Sequence, residues 1–339
     1  MGELNAIVGK NKVREEQLRR ERAMEAKRKR ELIEKRKKMK KIRFVAVWSA
    51  IIMLTLMGGL ILFDAMAGKK DKPKETEEIT TEIVNSPVDT GTYIFSSDMY
   101  KYTHADEILE RFTNVKSMKS ELADKIDFML EHKAAYPENL LKLVAKCPEA
   151  IDFALEYPFK KGDDTLVVDL SAEYVEGEIP YLMQWDSRWG YVNYGVETIA
   201  LDGCGPTCLS MVAIGLTGNI RWTPIRIANM AMENGHYAEG YGTEWSLMYE
   251  GCELMGLAGK EIPLSEEVMS AELRAGRPII ASMAPGDFTD AGHFIVIVDY
   301  KDGEFYVHDP NNKKNNEIGW SYERLKTQIK NLWSYTVMN

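Results

Sequence analysis

The balance of apolar and polar positions changes four times along the chain. Residues 1–43 are dense in Lys, Arg and Glu with apolar residues only scattered among them, and from Asn11 on they are mostly helix formers. Phe44 to Phe63 is then a run of 20 residues without a charge, FVAVWSAIIMLTLMGGLILF. At ~1.5 Å per residue a helix of this length spans about 30 Å, the apolar thickness of a bilayer. Residues 68–97 turn polar again, rich in Lys, Glu, Thr and Asp, and read as a solvated stalk. From 98 to 163 apolar residues recur at helical spacing, as in Ile108, Leu109 and Phe112, in Leu122, Ile126 and Met129, and in Leu140, Leu141 and Val144. Pro137 and Pro148 stand where new helices would begin. This is a small helical module, and its His104, His132 and Cys147 read as structural or surface residues.

Residues 164–339 mix two periods. Thr223-Pro224 opens a helix that Gly235 closes. Ser265 with Glu266 and Glu267 opens another ending at Gly276, and Ser321 with Glu323 opens a last one. Strand-like runs cover Arg277 to Met283, His293 to Tyr300 and Glu304 to His308. Lys301-Asp302-Gly303 supplies a hairpin turn between the last two. Helices first and a strand-rich half second give an α+β fold class.

Charge sorts these segments into compartments. Residues 1–43 carry 17 Lys and Arg against 7 Asp and Glu, a net of +10, whereas the whole chain carries −9 and the remainder therefore −19. The basic flank ahead of the apolar run holds that end in the cytoplasm and sends the C-terminal bulk outside, by the positive-inside rule. Lipid contact is expected through 44–63 and the basic flank. No aromatic or motif interleaves the basic charge, which argues against nucleic acid. Ala65-Met66-Ala67 has the form of a signal-peptidase site. A 43-residue leader and a 20-residue apolar run instead favour an uncleaved signal anchor over 44–67. Four cysteines are too few for a disulfide scaffold.

The candidate chemistry sits in the α+β part. Asp202-Gly203-Cys204-Gly205-Pro206-Thr207-Cys208 runs into the apolar stretch Leu209–Leu216, and Pro206 suits a first helical turn. Cys204 is thus placed at a helix N-terminus, where unpaired N–H groups favour a thiolate, the nucleophilic form. Cys208, one turn further on, has the character of a buried hydrophobe and is the second choice. His293 follows a loop, Pro285–Gly292, and opens the strand FIVIVDY, a rigid mount for a general base. Across the hairpin, Asp309 falls roughly opposite and can share one face with it, where it would hold the imidazole in the required tautomer. His308 points to the other face by strand alternation, and His236 is also weaker. Gln184 offers an uncharged amide, which by itself is no more than a surface glutamine. Cys204, Cys208, His293 and His308 could be combined into a metal site, but their spacing is unlike a zinc site and Pro206 interrupts the first pair.

IPYLMQWDSRWG, DGCGPTCLSM, GHFIVIVDY and HDPN together resemble the papain-like cysteine peptidases of family thirty-nine. The best-known members of that family process double-glycine bacteriocin leaders. More narrowly, the chain is similar to stand-alone domains of that family at Gram-positive cell surfaces. The resemblance covers about 178–339 and implies a papain-like fold, with a helix carrying the cysteine packed on an antiparallel sheet carrying histidine and aspartate. It implies Cys204 as nucleophile, His293 as general base, Asp309 as the acid orienting it and Gln184 as oxyanion donor, with no cofactor. Gln184 lies 20 residues before Cys204, a longer gap than in bacteriocin-processing members, and the chain contains no GxxxxGK[ST]. The expected function is a membrane-anchored extracellular cysteine peptidase acting on a peptide or protein substrate. The alternatives are a cell-wall peptide amidase or acyl transferase using the same residues, and a non-catalytic peptide-binding module on a membrane tether.

Overall fold

The structure is a computed structural model that describes residues 81–85, 92–96 and 105–338. The basic segment 1–43 and the apolar run 44–63 lie outside the described residues. Among the described residues no helix is long and apolar enough to cross a membrane. The chain divides into two compact units, 1–77 and 78–339, and the described residues all belong to the second.

Strands β1 (Thr81–Asn85) and β2 (Thr92–Ser96) pair antiparallel, Thr81 opposite Ser96, within the stretch expected to be a stalk. Their sequences, TEIVN and TYIFS, carry β-branched and aromatic residues on either side of a Ser-Pro…Thr-Gly turn segment, a strand signal that the polar composition obscured.

The helical module consists of α1 (Ala105–Met118), α2 (Ala123–Glu131), α3 (Glu138–Lys146) and α4 (Ile151–Lys160). Its apolar faces close on one another through Ile108, Phe112, Ile126, Leu140, Val144 and Ala154. The same core also contains Met183, Trp185, Tyr191 and Ala200 from the segment ahead of Cys204. The module and the α+β part are therefore joined by shared buried side chains, with the Phe153 ring stacked on Tyr191 at 4.3 Å.

Helices α5 (Cys204–Thr217), α6 (Pro224–Asn234) and α7 (Glu266–Arg274) accompany a six-stranded antiparallel sheet. Its strands are β3 (Leu257–Glu261), β4 (Ile279–Met283), β5 (His293–Lys301), β6 (Glu304–His308), β7 (Trp320–Ser321) and β8 (Ile329–Val337), in the order β7-β6-β5-β4-β8-β3. The capping signals translate directly. The Thr223 hydroxyl accepts from the Arg226 N–H and the Ser265 hydroxyl from the Val268 N–H, and Gly235 closes α6 in the left-handed region. Alternate residues of the sheet divide between two cores. Phe294, Val296, Ile280 and Trp333 pack with α5, while Ile295, Ile297, Ala281 and Leu332 pack with Met269 and Leu273 of α7.

Two strands depart from the sequence expectation. The Ser321 cap opens one turn, Tyr322–Leu325, and not a full helix, and the chain then returns as the nine-residue strand β8. β3 has the poor strand sequence LAGKE. Its glycine is there for space, since a Cβ on Gly259 would lie 2.1 Å from the Met248 carbonyl oxygen.

Candidate active site

Cys204 is the first residue of α5, with Gly203 as its N-cap, one position further into the helix than the sequence expectation. It remains among the residues whose N–H groups have no partner inside the helix. Its glycine neighbours allow two close approaches. A Cβ on Gly203 would lie 2.5 Å from the Ile199 carbonyl oxygen, and one on Gly205 would meet the Thr243 side chain at 2.6 Å. The thiol is half-buried, whereas Cys147, Cys208 and Cys252 are buried.

The first turn of α5 is fastened to the start of β5. The Cys208 thiol donates to the Phe294 carbonyl at 3.2 Å. One turn back along the helix is Cys204, and one residue back along the strand is His293, so the anchor brings the two together. The Cys204 side chain lies close enough to the His293 ring to help raise its pKa.

His293 is buried, and its Nε2 lies 2.7 Å from Oδ1 of the fully buried Asp309. A carboxylate cannot donate, so the ring nitrogen does, and Nδ1 is left for the thiol. Burial alone would drive the imidazole neutral. The Asp309 charge and hydrogen bond outweigh it, and the contact with Cys204 adds to them, so the His293 pKa is raised to about 10. Asp309 accepts two further hydrogen bonds: the Asn311 N–H reaches Oδ1 at 2.8 Å and Asn315 Nδ2 reaches Oδ2 at 2.6 Å. Its own N–H donates to Asn316 Oδ1 at 2.7 Å. Sequence reasoning misses these asparagines. The signal that could have found them is the run HDPNNKKNN itself, dense in amides directly after the acid.

Whether His293 and Asp309 share a face depends on one irregularity. The hairpin turns through Asp302 and Gly303, both at positive φ (54° and 84°), and its first pairs are Glu304–Lys301 and Phe305–Tyr300. Continued unchanged, that register would pair odd residues with even ones and put 293 and 309 on opposite faces. A bulge shifts it after Tyr306–Asp299, so that Val307 faces Ile297 and His308 faces Val296. Val298 is the extra residue, and beyond it odd faces odd. His308 then points the other way, its ring 5.3 Å from that of Tyr181. Burial lowers its pKa to about 4.

Gln184 is buried between the two halves. Its backbone N–H donates to the Pro310 carbonyl at 2.7 Å, beside Asp309, and its Nε2 donates to the Ala200 carbonyl at 2.6 Å, in the turn leading to Cys204. One Nε2 hydrogen is thereby used and one is left. Oε1 is buried without a partner, an arrangement that costs about 1–3 kcal/mol in an ordinary site. Cys208 is fully buried, with burial first among the causes holding its thiol far above the usual range, so it is the poorer nucleophile. His236 bonds the Ser246 hydroxyl at 2.8 Å. Asp202, two residues before Cys204, has its carboxyl pushed up to about 6 by burial and by Glu197. Among the described residues no group of three or more His, Cys, Asp or Glu is placed to hold a metal ion.

Residues 176–338 match the model of the Peptidase_C39 like family. Two solved structures are similar at low identity. The peptidase domain of Streptococcus ComA, a bi-functional ABC transporter involved in a quorum sensing pathway, is 16% identical with a TM-score of 0.33, over 41% of this chain and 93% of that one. A protein described as a C39-like peptidase from Bacillus anthracis is 17% identical with a TM-score of 0.32, over 47% and 95%. None of the curated proteins matches the chain.

Proposed function

We infer that this chain is a cysteine peptidase of the C39-like type, tethered by the apolar run 44–63 with its α+β part outside the cell. The observation that carries the chemistry is the buried His293–Asp309 pair at 2.7 Å facing a half-buried cysteine at a helix N-terminus. Cys204 attacks the carbonyl of a peptide bond. His293 holds the thiol proton and then passes it to the leaving amine, giving an acyl-enzyme that water hydrolyses. Asp309 keeps the ring oriented and stabilises its charged form. The free Nε2 hydrogen of Gln184 and the Cys204 N–H serve the oxyanion. The substrate is a peptide or protein outside the membrane, and no cofactor is required for these steps.

The test is limited alkylation with mass-spectrometric mapping. Burial, the first cause in each case, pushes the Cys147 thiol up to about 12 and the Cys252 thiol up to about 11, and holds Cys208 well above the usual range. At pH 6–7 Cys204 should therefore be modified first by well over tenfold, and Cys204→Ser should abolish both labelling and peptide hydrolysis. Slow, equal labelling of all four cysteines would defeat the reading and leave the binding-module alternative.

A further inference from the structure

The helical module lies outside the family match, which begins at residue 176. At one corner it nevertheless touches both loops that present the His293–Asp309 pair. Lys146, the last residue of α3, donates from Nζ to the Phe288 carbonyl at 3.0 Å. Phe288 belongs to the loop that feeds into His293. Its ring is buried against Trp320 at 4.5 Å, and the adjacent Asp287 is held by Arg324 and by Gln328 Nε2 at 2.7 Å. Cys147, the next residue, is buried, donates its thiol to Glu149 Oε2 at 3.4 Å, and has the Lys313 backbone N–H near its sulfur. Lys313 opens the short helix Lys313–Asn316 that carries Asn315 and Asn316, the two side chains on Asp309. Two adjacent module residues thus touch two loops that are remote in sequence, loops that Trp320 also links by packing on Phe288 and donating from Nε1 to the Asn315 carbonyl at 2.9 Å.

We propose that the Lys146–Cys147 corner is a positioning device for the His293–Asp309 pair, so that the helical module is a working part of the active site and not a spacer. The proposal rests on the catalytic reading of Cys204, His293 and Asp309. Both residues act through others: Lys146 sets the backbone that delivers His293, and Cys147 sets the loop that orients Asp309. The ionisable groups facing the pair are Cys204 and Cys208 from α5, Tyr181 from the segment ahead of it, and Cys147 itself. Loosening the corner lengthens the imidazole–carboxylate contact and removes part of what keeps the ring protonated.

The experiment follows the His293 ring by NMR in the full chain with labelled imidazole nitrogens, titrated with pH, beside the rate of Cys204 alkylation by iodoacetate. Lys146→Met removes the donor but keeps the stem, and Cys147→Val removes the acceptor for Lys313. The double variant should lower the His293 midpoint by half a pH unit or more and slow alkylation about tenfold, since a misplacement near 1 Å can cost about a hundredfold. Lys146→Arg with Cys147→Ser, which restores a donor and an acceptor, should recover most of both. Lys125→Met breaks an ion pair with Asp152 wholly inside the module and should change neither. If the double variant fails to fold, Lys146→Met alone leaves every buried side chain in place and should give the same direction. A His293 midpoint and alkylation rate equal to wild type, or an equal shift in Lys125→Met, would overturn the proposal. The titration needs no turnover, so an unreactive Cys204 in the wild type would defeat the peptidase reading while the titration still decides this one.

Discussion

Asp309→Asn should remove the pH dependence of stability above neutrality. His293 is raised from an ordinary 6.5 to about 10. A histidine raised on folding adds stability that is fully present below its unfolded value and is lost as pH rises through the folded one. Across pH 6.5–8.5 the unfolded ring loses its proton while the folded ring keeps it. Each pH unit therefore costs up to about 1.4 kcal/mol, roughly 2–3 kcal/mol over the window. The window begins above the carboxyl of Asp202 at about 6, and the raised thiols of Cys147, Cys208 and Cys252 add to the decline only near its upper edge, as their unfolded forms approach an ordinary 9.0, and equally in wild type and variant. With asparagine at 309 the counter-charge is gone and burial, the largest influence on the ring, is opposed only by the contact with Cys204. His293 then stays neutral when folded and the decline between pH 6.5 and 8.5 disappears. The variant is less stable throughout, because breaking a buried pair by removing one partner costs about 3–5 kcal/mol. The amide also sets an NH2 against Asn315 Nδ2, where the carboxylate oxygen accepted. Urea unfolding of residues 78–339 at pH 6.5, 7.5 and 8.5 measures both effects. A decline of the same size in wild type and variant would show that the His293–Asp309 pair is not its source.

Asn315→Asp is close in size but replaces the donor on Asp309 Oδ2 by a second acceptor, so peptide hydrolysis should fall by one to two orders of magnitude, with Asn315→Ser falling less; equal activity in all three forms would remove Asn315 from the support of Asp309. His308→Ala should keep most of the activity, because the ring lies on the Tyr181 side of β6, whereas His293→Ala should have none; equal losses with both folds intact would contradict the bulged register. Protease added to intact cells should remove the 100–339 portion and leave a short basic stub, and full protection of that portion would reverse the proposed orientation.

Three of the candidate residues, Cys204, His293 and Asp309, could be picked out because their chemistry is local, whereas Gln184 came only from the family resemblance. A cysteine between glycines ahead of a proline and an apolar helix, a histidine opening a strand, and an aspartate just past a hairpin each advertise themselves within about ten residues. Capping signals likewise placed α6 and α7, since a hydroxyl and the N–H groups it caps lie within one turn. Other features depended on distant partners. A symmetric turn would put His293 and Asp309 on one face, yet Asp302-Gly303 makes an odd register, and only the extra Val298 restores the shared face. β3 forms because β8 lies beside it and Met248 leaves room only for Gly259, not because its own residues favour a strand, whereas β8, IKNLWSYTV, carries strand-forming residues. The support of Asp309 by Asn315 and the reach of Lys146 and Cys147 to the two site loops are contacts that the chain makes only once it is folded. Cys147, in sequence no more than a structural residue, acquires its neighbours only when the helical module shares a core with Trp185 and Tyr191. Local pattern determines which groups can do the chemistry, while packing decides which of them meet, because meeting is set by buried contacts across the whole fold.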